Sequence, residues 1–425
     1  MPLTAFSVEN YRSFADRTRL DLRPLTLLFG YNSAGKSALL RLLPLVAASV
    51  GDKVLGPLSL DTDATRNASF RDLLSRHSAS PALALGFEEQ DLRVELVLRD
   101  LPEHKLQIIE RLSVEDKAAG APLLDASWDA VRLDPAARET PYTYQYGGTG
   151  GSTSLAFDGL VPRLTSPAPF RREIDRAAAL LRDLADDVHW LNSLRAVPPR
   201  AARFLPPPRR LDPTGALADD LIAHDTLRDG RLFAAVSTWY ERATRHRLVV
   251  RRSVVAGEEQ FSLLLSPIGS SPAVEIPVID TGEGMAQVLP VIVLGALARH
   301  GRLGTAPLLA IEHPELHLHP AAHEELAAFF CELASAESPP ICLIETHSEN
   351  FLLRVQIAIA RGDLLPERVL VHWVRGLPDG RSVLDTITFD EAARPRGAGW
   401  PPGVFAEDTT QARELLRLRK ARGLL

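Results

Sequence analysis

The sequence predicts an α/β fold, and three observations carry that prediction. The run Leu25-Thr26-Leu27-Leu28-Phe29 is short, apolar and partly branched, as a strand buried on both faces should be. The stretch Gly30-Tyr31-Asn32-Ser33-Ala34-Gly35-Lys36-Ser37 follows without interruption, and Ala38–Leu43 is rich in strong helix formers. From Val274 onward, short apolar strands alternate with helical stretches. Strands are expected at Leu308–Ile311 and Ile341–Ile344, and helices at Val291–Ala298 and Ala321–Leu333.

The strand, glycine loop and helix together define a chemistry. Gly30 and Gly35 permit a tight loop, with Asn32, Ser33 and Ala34 between them, whose backbone N–H groups point inward at phosphate oxygens. Lys36 adds a cation for the β/γ-phosphates, and the Ser37 hydroxyl is a ligand for Mg²⁺. The fold is therefore read as a P-loop NTPase, and the ligand as a nucleoside triphosphate.

Composition bounds the rest. A chain of 425 residues exceeds the size at which one core keeps growing, so two lobes or a domain with a large insertion are expected. Hydrophobic content of 45% and charged content of 24% are those of a soluble globular protein. No apolar stretch reaches spanning length and the N-terminus lacks a signal-peptide layout, so a cytoplasmic protein with no membrane partner is expected. Cys331 and Cys342 lie in apolar runs without metal-ligand spacing and read as core thiols. The net charge of −6 excludes indiscriminate coating of nucleic acid. It leaves room for local basic surfaces at Arg242–Arg252 and Arg413–Arg422, although solvated helix faces and strand ends explain both clusters equally well.

The element order supports one core split by an insertion. Residues 1–160 open with strands at Leu3–Glu9 and near Thr18–Leu22, pass through the phosphate loop, and alternate apolar and polar over 82–115 as antiparallel strands do. Residues 140–156 read as a flexible loop or hairpin tip. Residues 161–247 are expected to be a mainly helical insertion, with an amphipathic helix over Arg171–Val188, a stiff Pro206-Pro207-Pro208 connector and a helical stretch over Ala216–Arg245. Residues 248–425 return to the core.

Within that last part, Leu308–Ile311 leads to Glu312, a carboxylate at the end of a strand expected to lie beside the phosphate-loop strand. That makes Glu312 the candidate Mg²⁺ ligand. A zinc site built from His317 and His319 with Glu312 or Glu315 is the competing reading. The alternate spacing and flanking prolines do not match the i, i+4 geometry of common zinc hydrolases. Asp280–Gln287 forms a Gly-x-Gly turn opening a helix, and His347 follows the strand Ile341–Ile344.

These motifs, together with Asn10-Tyr11-Arg12-Ser13-Phe14 and Glu345-Thr346-His347-Ser348, stand in an order that resembles ABC-type ATPases of the RecF/SMC/OLD class. The string Glu312–Pro320 is similar to the acidic motif of compact OLD-like AAA ATPases of bacterial defence systems, including the ATPase subunit of Septu-type systems. Leu194–Pro198 and Trp400–Phe405 look like that same subgroup. The resemblance implies an ABC-type ATPase head, with a mixed sheet and an antiparallel β subdomain, that sandwiches ATP and Mg²⁺ in a homodimer. Arg12, Gly30, Asn32, Ser33, Ala34, Gly35, Lys36 and Ser37 of one subunit would bind nucleotide opposite Gly282, Gly284 and Gln287 of the other. Glu312, His313, Glu315 and His347 would form the catalytic set, with Ser37 and Glu312 on the metal and His347 sensing the γ-phosphate.

Two departures shape the functional expectation. The position after the Mg²⁺ carboxylate, where most ABC-type sites carry a water-polarising glutamate, is His313. A neutral imidazole accepts a proton but lacks a fixed negative charge, so hydrolysis is expected to be slow. Ala286 replaces the small polar residue of the signature turn. The stretch after His347 is short and lacks a carboxylate cluster, so a built-in nuclease is not expected. The first reading is a dimeric ATP switch or sensor working with a separate effector, such as a nuclease, in anti-phage defence. The alternatives are a RecF-like clamp closing on duplex DNA and a non-hydrolysing ATP-bound scaffold.

Overall fold

The protein is described by a computed structural model covering residues 2–51, 56–118, 120–129, 140–204, 206–207, 210–272, 274–397 and 417. The chain begins with β1 (Ala5–Glu9), β2 (Thr18–Asp21), β3 (Leu25–Gly30), α1 (Lys36–Ala48) and α2 (Phe70–Leu73). A run of strands follows: β4 (Ala82–Glu88), β5 (Leu92–Leu101), β6 (Leu106–Asp116), β7 (Ala121–Trp128), β8 (Thr140–Tyr146), β9 (Thr149–Asp158) and β10 (Val161–Leu164). Then come α3 (Arg171–Asp187), β11 (Val188–Leu191), β12 (Ala202–Arg203), α4 (Ala218–Asp225), α5 (Arg231–Thr244), β13 (His246–Val255), β14 (Glu258–Pro267) and β15 (Ile276–Pro277). The last part holds α6 (Glu283–Gln287), α7 (Leu289–Arg299), β16 (Leu308–Glu312), α8 (Pro320–Ala334), β17 (Ile341–Glu345), α9 (Glu349–Arg361), β18 (Val369–Gly376), β19 (Ser382–Phe389) and β20 (Pro395–Gly397).

The site is built on a seven-stranded sheet of order β11-β16-β17-β3-β18-β19-β20. Its members from β11 to β18 pair in parallel, while β19 and β20 are antiparallel additions. All residues of β3, β16 and β17 are buried, which is the reason their sequences are continuously apolar rather than alternating. Successive residues nonetheless serve opposite faces. Leu309, Ile311, Cys342 and Ile344 enter a core formed with α4, α5, α7, α8 and α9. Leu308, Ala310, Ile341 and Leu343 enter a second core with α1 and α3. That second core is closed on its far side by a nine-stranded antiparallel sheet, β10-β9-β8-β7-β6-β5-β4-β1-β2. The outer sheet has one wet face, so β5 alternates buried and half-buried positions along its length.

The α/β P-loop fold with a mixed sheet and an antiparallel β subdomain is therefore present. Two expectations need correcting. Glu312 ends β16, but β16 is not beside the phosphate-loop strand, because β17 lies between β16 and β3. Residues 161–247 hold α3, α4 and α5 but are not set apart from the core. Within them β11 pairs in parallel with β16, and Ile174, Leu181 and Val188 pack into the same core as α1. A parallel strand needs a crossover from its neighbour, and the amphipathic α3 supplies the cover on that face. Of the two alternatives for residues 140–156, the hairpin is the one present: β8 and β9 pair through a two-residue turn in which Gly147 and Gly148 have φ of 55° and 80°. Two left-handed residues match the twist of the flanking strands. The Trp400–Phe405 segment and Pro208 lie outside the described residues, as does the Arg413–Arg422 cluster apart from Arg417. Among the described residues no helix is long and apolar enough to cross a membrane.

Because Leu181 is fully buried in the shared core, Leu181→Ala should lower the unfolding free energy by about 2–5 kcal/mol. Calorimetry should still show the segment melting together with the nucleotide site. An early transition confined to residues 161–247 would contradict the integration of α3 and β11.

Candidate nucleotide site

The loop between β3 and α1 is held in shape by backbone conformations that a side chain would disrupt. Gly30 and Gly35 have φ of 144° and 104°. A Cβ on Gly30 would lie 2.2 Å from the Val374 carbonyl oxygen, and one on Gly35 would lie 2.9 Å from the Phe14 ring. The Asn10–Phe14 segment thus forms the floor of the loop. It is itself fixed by Asn10, whose amide donates to the Ser80 and Ala82 carbonyls and whose oxygen accepts from Ser75 N–H. From the other side, the Ser382 hydroxyl donates to the Ala34 carbonyl at 2.7 Å. Tyr31, Asn32 and Ser33 remain exposed at the tip, and Ser33 takes a left-handed φ of 63°.

Lys36 is buried and folds back to donate to the Gly30 and Tyr31 carbonyls at 2.9 and 3.0 Å. Burial pushes its pKa below the ordinary lysine value, and Glu345 opposes that shift. The Ser37 hydroxyl donates to Glu345 Oε1 at 2.8 Å. One turn further along α1, Arg41 forms a bidentate pair with both oxygens of Glu312 at 2.6 Å each. Glu312 Oε1 also accepts from the indole N–H of Trp190 at 3.1 Å. The reason for this pattern is register. Glu312 and Glu345 are partners across the parallel β16–β17 pair, so both carboxylates point to the α1 side, where an i, i+4 pair meets them.

The acidic turn after β16 is equally anchored. His313 N–H donates to the Glu345 carbonyl at 2.8 Å, extending the ladder by one bond. Glu315 is buried, and its Oε1 accepts from the Thr346 hydroxyl at 2.8 Å and from His347 N–H at 2.9 Å, so it reaches the end of β17. The rings of His313 and His347 stack at 5.2 Å with an interplanar angle of 10°. His313 Nε2 is 3.5 Å from Glu345 Oε1. Arg195, four residues beyond β11, is buried and donates to the backbone carbonyls of Glu312 and His313. Burial lowers its pKa to about 10, and the charges of Glu315 and Glu312 partly restore it. His319 caps α8 by accepting from Ala321 N–H, and His317 faces Glu283 at 3.7 Å, so the two imidazoles weighed as zinc ligands are engaged at different places.

The structure thus gathers Gly30–Ser37, Glu312, His313, Glu315 and His347 along the carboxyl ends of parallel strands, where ligands bind in α/β sheets. Arg12 joins them. It lines a cavity of about 430 Å³ with Tyr11, Ser37, Arg41 and Thr65, a size that accommodates a small ligand. The signature-like turn is placed differently from expectation. Gly284 packs so tightly that a Cβ would lie 2.3 Å from the His317 carbonyl oxygen, and Gln287 is buried, its amide donating back to Glu283 at 2.9 Å. Gln287 therefore turns inward, while Asp280, Gly282 and Glu283 are exposed at the surface of this turn. Sequence reasoning gave no role to Arg41, Trp190, Arg195 or Glu345. Of these, only Glu345 carried a local signal, as the last residue of an apolar strand.

Several buried polar atoms here have no hydrogen-bond partner among the described residues: Glu345 Oε2, Glu315 Oε2, Gln287 Oε1, and Nε and Nη1 of Arg195. Native structures leave few such atoms, and among the described residues others lie on Arg93, Trp128, Glu173, Asn192, Asp220 and Trp373. The basic surface expected over 242–252 is largely compensated. Arg242 pairs with Glu332, Arg247 with Glu241, Arg251 with Glu275 and Arg252 with Glu259.

Desolvation of its packed face, then the charges of Lys36 and His313, lower the His347 pKa from 6.5 to about 4, even though the residue is exposed overall. His347 is thus neutral at pH 7. The unfolded chain takes up that proton more readily, so the contribution of the neutral ring is present above about pH 6.5 and is lost as pH falls toward 4. Lys36→Met should move the His347 midpoint upward in an NMR titration. A midpoint already near 6.5 in the unaltered protein, or one unmoved by the substitution, would contradict this electrostatic picture.

Residues 1–74 and 252–352 match the family described as AAA ATPase domain. No curated protein matches the chain. Among solved structures, the chain is similar to the SMC head domain from Thermotoga maritima, at 11% identity and a TM-score of 0.41 over 90% of this chain and 98% of that one. It is also similar to the Smc head domain with an extended coiled coil from Pyrococcus furiosus, bound to the C-terminal domain of ScpA. There the identity is 11% and the TM-score 0.46, over 98% of this chain and 99% of that one. The two matched segments contribute the phosphate loop, the acidic turn and His347 to one sheet edge of a P-loop fold, and over them the chain is similar to an AAA ATPase domain.

Proposed function

We propose that this protein is an ABC-type ATPase of the RecF/SMC/OLD class that uses ATP to switch between an open state and a closed homodimer. The observation that carries the reading is the convergence of Lys36, Ser37, Glu345, His313 and His347 at the carboxyl ends of adjacent strands. Lys36 is held on loop carbonyls and is positioned to exchange them for β/γ-phosphate oxygens, which keeps its charge desolvated but paired. The buried acceptors and the Ser37 hydroxyl fit Mg²⁺, which binds one or two carboxylates together with substrate phosphates. When bound, that ion neutralises charge that develops between the β- and γ-phosphates. Gly282 and Glu283, exposed at the start of α6, supply the surface that a second subunit's nucleotide would meet.

Slow turnover is part of the proposal. His313 stands where a water-polarising carboxylate is expected, and its ring is stacked on His347 rather than free. A closed state that persists suits a sensor that signals to a separate effector, for which a nuclease in anti-phage defence is the reading the acidic motif supports. The clamp reading draws less support, since Arg251 and Arg252 each face a carboxylate. The scaffold reading differs only in turnover.

Lys36→Ala should abolish ATP-dependent dimerisation followed by light scattering, and should lower ATP affinity. Unchanged dimerisation would refute the site. In cells carrying the gene with its neighbours, the wild-type protein should reduce phage plaques and Lys36→Ala should restore them. A wild type with no effect on plaques, combined with salt-dependent duplex binding, would favour the clamp instead.

A further inference from the structure

We infer that Glu345, rather than Glu312, supplies the carboxylate that faces Mg²⁺ in this site. The inference rests on the ATP-binding reading above and reassigns a role within it. The two carboxylates are partners across β16 and β17 and point to the same side of the sheet, so position alone does not separate them. Their partners do.

Glu312 is spent on structure. Both of its oxygens are held at 2.6 Å by the Arg41 guanidinium, and one of them also accepts from Trp190 Nε1. Freeing it would strand the Arg41 charge, which is only 11% exposed, without a partner. Glu345 is arranged the other way. Its Oε1 accepts from Ser37, the hydroxyl expected on the metal, and lies 4.0 Å from Lys36 Nζ. Its Oε2 is buried with no hydrogen-bond partner among the described residues. A buried carboxylate oxygen left open beside a hydroxyl and an ammonium group is costly in an empty core and is explained by a cation that arrives with the phosphates. The strand order gives the same answer. β17 and not β16 neighbours β3, so Glu345 is the carboxylate nearer to the phosphate loop.

The assignment also gives the His313 departure a physical context. His313 Nε2 lies 3.5 Å from Glu345 Oε1. A second carboxylate at position 313 would face Glu345 at close range, whereas an imidazole does not repel it.

The test measures binding rather than turnover. A fluorescent ATP analogue is titrated into the full chain in EDTA and again in Mg²⁺. The wild type should bind in EDTA and bind more tightly with Mg²⁺. Glu345→Gln should still bind nucleotide in EDTA but lose the Mg²⁺ gain, with a weakening of metal dependence of about 10–100-fold. If the amide variant does not fold, seen as loss of binding even in EDTA, Glu345→Asp carries the test. Its carboxylate, drawn back by one methylene, should move the Mg²⁺ midpoint to higher concentration. A Mg²⁺ gain retained in Glu345→Gln, or a midpoint unmoved in Glu345→Asp, overturns the assignment and leaves ATP binding standing. A wild type that binds no nucleotide in EDTA or Mg²⁺ overturns the ATP reading itself.

Discussion

Two residues one turn apart on α1, Ser37 and Arg41, meet two carboxylates that are register partners on β17 and β16, and the rest of the site depends on that double contact. It fixes the rotation of α1 about its axis, because only one helical face presents residues at i and i+4. It thereby fixes the direction from which Lys36 and the loop amides approach the sheet edge. It also ties the first matched segment of the chain to the second, since Ser37 and Arg41 come from residues 1–74 and their partners from 252–352. The unmatched stretch between them contributes β11, whose Trp190 completes the shell around Glu312.

The same region shows a division between saturated and unsaturated polar groups. Both Glu312 oxygens are held, by Arg41 and Trp190, and the backbone carbonyls of Glu312 and His313 are covered by Arg195. Around this rigid frame, Glu345, Glu315, Gln287 and Arg195 each leave a buried atom unpaired. A fully satisfied network rigidifies a core, and a partly satisfied one is expensive unless something else binds there. The frame therefore holds the groups in place while the unpaired atoms define where a ligand would be accepted. The stacked His313 and His347 rings stand at the boundary, half in the packed core and half at the open edge.

What could be read from the sequence was whatever is local. The phosphate loop, the buried strands and the amphipathic α3 follow from glycine placement, apolar runs and helical spacing, all within a window of a few residues. What could not be read was adjacency. Nothing in the run Ile311-Glu312 tells that β17 will be inserted between β16 and β3, and that insertion decides which carboxylate meets Ser37. Arg41 reads as an exposed helix position and Trp190 as an ordinary core aromatic, yet both close on Glu312 from other elements. Arg195 lies on an irregular segment with no periodicity, and its role appears only when β11 is seen beside β16. The tie between residues 161–247 and the core is hidden for the same reason: β11 is only four residues long and buried throughout, so nothing local marks it as a core strand.

The geometry also bears on why a nucleotide switch could work through this edge. Lys36 donates to two loop carbonyls, and Ser37 donates to Glu345, so both phosphate-facing side chains already have partners. In the proposed function a triphosphate displaces those bonds; the Lys36 ones are already charge-assisted, and phosphate oxygens would replace their neutral carbonyl partners with charged ones. Moving Ser37 off Glu345 leaves that carboxylate facing His313, whose backbone N–H is bonded to the carbonyl of the same residue. Any shift of His313 then reaches His347 through the stacked rings, and His347 N–H is held by Glu315 on the turn that packs against Gly284. A contiguous set of contacts thus runs from the phosphate loop to the exposed turn at Gly282. It gives the occupancy of one end a physical route to the surface at the other.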